Sequence, residues 1–141
     1  MTINEIQEEL IDDFSLFEDW MGRYEYIIQM GKDLPIIDAQ YKKEENLIKG
    51  CQSQVWLHAA LTDGKVIFTA DSDALITKGL VSMMVRVLSG HTPNEIVNTE
   101  LYFIDKIGLK EHLSPTRSNG LLSMVKQMKM YALAFQQTQN A

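Results

Sequence analysis

The chain has 141 residues, 45% of them hydrophobic and 23% charged, with a formal net charge of -6. That length supports one domain around one hydrophobic core, and the composition is that of a soluble globular protein. The acidic balance argues against nucleic acid as the main partner, and no apolar run approaches the roughly 20 residues that span a bilayer. Met1-Thr2-Ile3-Asn4-Glu5 carries acid where a targeting peptide would carry base. A single cysteine rules out an internal disulfide framework and fits a reducing, cytoplasmic setting.

Thr2 and Glu5 form a capping box, and Ile3, Ile6, Leu10 and Phe14 then recur at helical spacing. Ser15 and Glu18 repeat the signature, which predicts a break near Asp12-Asp13. A second helix then carries Phe17, Trp20, Met21, Tyr24, Ile27 and Ile28 and ends at Gly31. From Lys32 to Asn46 the pattern weakens into a solvated connection, after which Leu47 and Ile48 suit a short strand.

The clearest pattern is an antiparallel hairpin over about 54–71. Val55, Leu57, Ala59 and Leu61 alternate with Trp56, His58, Ala60 and Thr62; Asp63-Gly64 is a two-residue turn; Val66, Phe68 and Ala70 return. Folding there pairs Leu61 with Val66, Ala59 with Phe68 and Leu57 with Ala70, all on one face.

Ser72 or Asp73 is positioned to cap a helix running to about Ser89, with Ile76, Leu80, Met83, Met84 and Val87 as its buried stripe and Gly90 as its stop. Thr92-Pro93-Asn94-Glu95 is a further capping box with proline at the first helical position. Tyr102 to Asp105 reads as extended and Leu109 to Leu113 as one helical turn. Ser114 caps the last helix, Pro115 opens it, and Leu121, Met124 (or Val125), Met128, Tyr131 and Phe135 form its stripe, with a frayed tail from Gln136. Arg117 falls where a capping box wants Glu, and a cation there opposes the helix dipole by about 0.3–1 kcal/mol. It is either a solvated surface residue or a residue used for something else.

Between the connection and the hairpin lies Lys49-Gly50-Cys51-Gln52-Ser53-Gln54. Gly50 suits a turn, and the polar residues after Cys51 lack strand propensity, so the thiol belongs on a loop at the strand's mouth. Free cysteine most often acts as a small buried hydrophobe, and that reading stands beside a reactive one. The polar, glycine-flanked setting favours reactivity, and Lys49 is near enough in sequence to support a thiolate.

Other chemistries find little support. His58, His91 and His112 show no paired ligand spacing with the lone cysteine, and a cluster held by this chain alone would want about four thiolates. No phosphate loop or dinucleotide fingerprint is present. A cysteine hydrolase needs a base beside the thiol, and a continuous strand would turn His58 to the face opposite Cys51. What remains is a lone thiol suited to sulfur exchange.

Gly50-Cys51-Gln52-Ser53-Gln54-Val55-Trp56 resembles the signature of the SufE family of sulfur-acceptor proteins. Ser72-Asp73-Ala74 with Lys78-Gly79-Leu80, and Leu113-Ser114-Pro115-Thr116-Arg117-Ser118-Asn119-Gly120-Leu121, are similar to two further blocks of that family in the same order. Thr116 stands where the family more typically has serine, and it keeps the hydroxyl. The resemblance implies an α+β fold, a small antiparallel sheet packed against several helices and related to the IscU-type scaffolds, with residues 1–141 forming one sulfur-acceptor domain.

It also implies a role. Cys51 would accept sulfur from the persulfide of a pyridoxal-phosphate-dependent cysteine desulfurase (SufS- or CsdA-like), stimulate that enzyme, and pass the sulfur to an iron–sulfur scaffold complex (SufBCD-like). The pyridoxal chemistry belongs to the partner, so the chain needs no cofactor or metal of its own and is a carrier, not an enzyme. By the same resemblance Gly50, Gln52 and Ser53 shape the loop, and Arg117 docks the partner or supports the thiolate. Trp56 is read either as packing beside the loop or, by default, as a half-buried strand aromatic. Because an exposed persulfide is easily reduced or oxidised, the resting loop is expected to tuck Cys51 against the hairpin. The competing reading is a docking regulator of a desulfurase or other partner in which Cys51 is structural.

Overall fold

The computed structural model describes residues 1–139. In chain order these form α1 (Ile3–Ser15), α2 (Trp20–Met30), β1 (Val55–Thr62), β2 (Lys65–Ser72), α3 (Leu75–Leu88), α4 (Pro93–Asn98), α5 (Phe103–Ile107), α6 (Leu109–His112) and α7 (Pro115–Gln139), with single 3-10 turns at Gly31–Asp33, Ala39–Tyr41 and Glu44–Asn46. The architecture is α+β, as expected: a two-stranded antiparallel sheet with helices packed against it. Among the described residues no helix is long and apolar enough to cross a membrane.

The hairpin has the predicted register, with Leu57 opposite Ala70, Ala59 opposite Phe68 and Leu61 opposite Val66. Asp63 and Gly64 both take positive φ, 52° and 78°, as a two-residue turn matched to strand twist requires. Outward groups of β2 are satisfied by three separate segments. Val66 N–H donates to the His91 carbonyl at 2.8 Å, Phe68 N–H to Ser89 Oγ at 2.9 Å and Ala70 N–H to the Pro35 carbonyl at 3.1 Å. An edge strand that would otherwise invite foreign pairing is closed by loops.

α3 runs through the centre, packed on α1, α2, α7 and β2, and its whole surface from Ile76 to Leu88 is buried except at Lys78 and Arg86. The predicted stripe is therefore only part of what it buries. Gly79 allows the closest approach: a Cβ there would stand 2.0 Å from the Ile27 carbonyl oxygen of α2. At Gly31 the backbone stays right-handed (φ -60°) and enters a 3-10 turn, while a Cβ there would lie 3.2 Å from the Gly79 amide nitrogen. The small residues let two helices cross with backbones in contact.

Four boundaries differ from the sequence expectation. Ser15 stays in α1, donating to the Asp12 carbonyl at 2.6 Å, and Asp19 caps α2 by accepting from Gly22 N–H at 2.8 Å, so the break lies at Leu16–Glu18. Ser72 and Asp73 do not cap α3, whose N-cap is Ala74; their side chains are used elsewhere. The stretch from Phe103 to Ile107 is helical, not extended. Its first amide, Phe103 N–H, is accepted by the buried Gln7 side chain of α1 at 3.2 Å, a cap supplied from 96 residues away. Finally, the tail expected to fray from Gln136 is helical as far as Gln139, and its residues 140–141 lie outside the described residues.

Candidate functional site

The cysteine loop is built like the end of a second, irregular hairpin. Ile48 N–H donates to the Val55 carbonyl at 2.8 Å, and Leu47 makes a single bridge to Trp56, the remnant of the expected short strand. Between these closing contacts Gly50 takes φ 92°, and a Cβ on it would lie 2.6 Å from Ser123 Oγ of α7. The far end is clamped at Gln54. Its amide donates to Asp73 Oδ1 at 3.1 Å and its carbonyl accepts from Ser72 Oγ at 2.8 Å. This clamp is what Ser72 and Asp73 do in place of capping a helix.

Cys51 is half-buried, and its thiol donates to the Gly120 carbonyl of α7 at 3.6 Å. A Cβ on Gly120 would lie 3.6 Å from Cys51 Sγ, an ordinary van der Waals contact, so Cys51 packs directly on the helix at this position. Gly120 and Ser123 stand one turn apart on α7 and receive Cys51 and Gly50 respectively. The thiol thus rests on α7, at the Gly120 carbonyl, where the sequence reading expected the hairpin. Burial pushes the Cys51 thiol above its ordinary range. Lys49, near enough in sequence to support a thiolate, has an exposed side chain.

A small cavity of about 70 Å³ opens beside the sulfur, lined by Gln52, Ser53, Thr77, Leu80, Thr116, Arg117 and Met124 as well as Cys51 and Gly120. The structure thus brings together all five residues singled out by the sequence: Gly50 under the loop, and Cys51, Gln52, Ser53 and Arg117 around the cavity. Gln52 and Ser53 make no side-chain hydrogen bond among the described residues, so the turn at Gly50 and the clamp on Gln54 set the loop's shape. Trp56 does not line the cavity; Lys42 Nζ stands 4.6 Å from its ring centroid. The Arg117 guanidinium donates to the phenol oxygen of Tyr24 on α2 and lies 5.9 Å from that ring's centroid.

No histidine lines this cavity. His58 stacks on Tyr41 with centroids 3.8 Å apart, His91 bonds the Met1 carbonyl at 3.0 Å, and His112 stacks on Trp20 at 4.1 Å. Among the described residues no group of three or more His, Cys, Asp or Glu side chains is placed to hold a metal ion. A larger cleft of about 400 Å³ between α2 and α3, lined in part by Tyr26, Met30, Val85 and Arg86, shares no residue with the thiol cavity.

Sequence reasoning missed Tyr24, Gly120 and Ser123 as parts of the site. Gly120 carried a legible signal, since a glycine inside a helix costs about 1 kcal/mol and asks for a reason. Tyr24 carried none, because it reads as ordinary helix core.

Residues 8–132 match the family model described as SufE, an Fe-S metabolism associated domain. An uncharacterized SufE-like protein of Rhizobium meliloti is 41% identical over 130 residues, covering 89% of this chain and 93% of its own. SufE-like protein 1 of Arabidopsis thaliana, chloroplastic/mitochondrial, is 39% identical over 127 residues; the match covers 89% of this chain and 34% of that longer protein. The solution structure of a hypothetical protein from Thermus thermophilus superposes with a TM-score of 0.76 at 18% identity, covering 92% of this chain and 94% of that one, which shows the shared fold. By the family model and these identities, the chain belongs to the SufE family, associated with Fe–S metabolism.

Proposed function

We propose that residues 1–141 act as one cytoplasmic sulfur-acceptor domain. It takes the terminal sulfur of a cysteine desulfurase persulfide onto Cys51, stimulates that enzyme, and hands the sulfur to an iron–sulfur assembly scaffold. The observation that carries the reading is the seat of Cys51: a lone thiol on a loop tied at both ends, set against a helix, with free space beside the sulfur.

The step needs no base built into this chain. The Cys51 thiolate attacks the outer sulfur of the partner's persulfide, a new S–S bond forms on Cys51, and the old S–S bond breaks with its electron pair on the partner's sulfur. The proton lost from Cys51 goes to solvent, the partner's thiolate takes one up, and no net oxidation occurs. Desulfurase turnover is then stimulated because its persulfide is cleared. In the resting seat burial disfavours the thiolate, so the loop leaves α7 when the partner docks and returns with its cargo. A water's share of liquid is about 30 Å³, so a cavity of about 70 Å³ admits one added sulfur.

The half-burial of Cys51 also favours a second reading, in which the cysteine is structural and only docking stimulates the desulfurase. Intact-mass spectrometry after incubation with a desulfurase, pyridoxal phosphate and cysteine separates the two. The carrier reading expects a gain of one sulfur mass or more, removed by dithiothreitol and absent in Cys51→Ser. No gain from an active desulfurase that binds the protein, with stimulation kept in Cys51→Ser, establishes the docking regulator instead.

A further inference from the structure

The chain's arginines are held in different ways. Arg86 on α3 is neutralised by carboxylates, pairing with Glu9 and, at 3.6 Å, with Asp13. Arg23 donates to the carbonyls of Phe17 at 3.1 Å and Ile107 at 3.3 Å. Arg117 alone lines the thiol cavity, and among the described residues it has no carboxylate within ion-pair distance. It stands in the first turn of α7, where the helix dipole opposes a cation. Its acceptor is the Tyr24 hydroxyl, from a helix 93 residues away in sequence, and the guanidinium lies near that ring. A phenol fixes the direction of a guanidinium through a hydrogen bond and the ring's face while leaving its charge uncancelled. An aspartate in the same place would fix the direction and cancel the charge.

We propose that Tyr24 is the positioning residue for Arg117, holding an unneutralised cation at the mouth of the Cys51 cavity so that an anionic sulfur species meets it there. This rests on the reading of Cys51 as a sulfur acceptor, whose incoming and outgoing species are thiolates and persulfide anions. Tyr24 touches neither sulfur nor partner in this role; it acts through Arg117.

The test uses the free protein and a pair of reagents that differ in charge. Iodoacetate and iodoacetamide alkylate the same thiolate with the same leaving group, so the ratio of their rates reads the local charge and not the accessibility of Cys51. Tyr24→Phe keeps the ring and removes the hydroxyl. Its ratio is expected to fall about two- to fivefold, the effect of moving one unit charge by a few ångström near a surface. Arg117→Ala lowers the ratio by at least as much, and Tyr24→Phe changes nothing further in the Arg117→Ala background. A merely structural role for Tyr24 loosens the loop and raises both rates together, leaving the ratio at the wild-type value, which overturns the proposal. A second fall of equal size on top of Arg117→Ala overturns it as well. Should Tyr24→Phe not fold, Arg117→Lys serves: lysine keeps the charge and loses the planar fork, so a ratio equal to wild type counts against positioning by the phenol. The acceptor reading fails separately, by absence of sulfur gain on wild-type Cys51, whatever the ratio does.

Discussion

The thiol of Cys51 meets the carbonyl oxygen of Gly120 at 3.6 Å across 69 residues of sequence, and this contact marks where the loop rests. Burial raises the thiol's pKa, so the folded protein disfavours the thiolate. Alkylation of Cys51 by iodoacetamide at neutral pH is expected to be slower than that of the same loop as a free peptide, with its midpoint at higher pH. Between the unfolded and folded pKa values the native state binds more protons than the unfolded one. Stability from this group is therefore present below the unfolded thiol's pKa and lost as pH rises through the folded value. Denaturant melts from neutral to alkaline pH should show that decline in the wild type and a shallower one in Cys51→Ser.

Gly50 sets the turn before the thiol. At φ 92° an alanine is strained by about 1–2 kcal/mol, and its Cβ would meet Ser123 Oγ at 2.6 Å. Gly50→Ala is expected to lower the unfolding free energy by at least that much and to speed Cys51 alkylation, because the loop gives way before the long helix does. Ser123→Ala in the same chain recovers only the steric part, leaving the backbone strain in the melt.

Ser72 holds the other end. Its hydroxyl donates to the Gln54 carbonyl at 2.8 Å, and its oxygen lies 3.3 Å from the Ala74 amide nitrogen. The Gln54 carbonyl keeps the Asp73 N–H at 3.3 Å, so removing the hydroxyl loses a hydrogen bond worth about 0.5–1.5 kcal/mol. Ser72→Ala should therefore destabilise within that range in urea, and the Cys51 alkylation rate should rise more than global stability alone accounts for. Equal shifts in both would show that the clamp does not act on the loop.

Gly79 tests the scaffold beneath the site. A methyl group 2.0 Å from the Ile27 carbonyl oxygen cannot be accommodated by a side-chain rotation, since the obstacle is backbone. Overpacking of this kind costs about 1–3 kcal/mol or more, so thermal unfolding of Gly79→Ala should begin many degrees below the wild type. An unchanged melting temperature would mean that α2 and α3 are free to separate.

The amino-acid sequence by itself determined what local chemistry governs. The capping boxes at Thr2 and Thr92 form as read, the Asp63-Gly64 turn sets the hairpin register, and the last helix opens with Ser114 and Pro115. In each case the partners are a few residues apart or lie across one tight turn, so pattern and geometry are the same information. The placement of Cys51 on a loop was legible for the same reason, and the family signature followed from the loop residues. Tertiary structure alone decided where the thiol rests, because the Gly120 carbonyl that receives it belongs to α7. It also decided that Gln7 caps α5 and that Arg117 meets a phenol instead of a carboxylate. These partners are 69 to 96 residues apart, and no periodicity or local propensity encodes a contact that exists only once helices have packed.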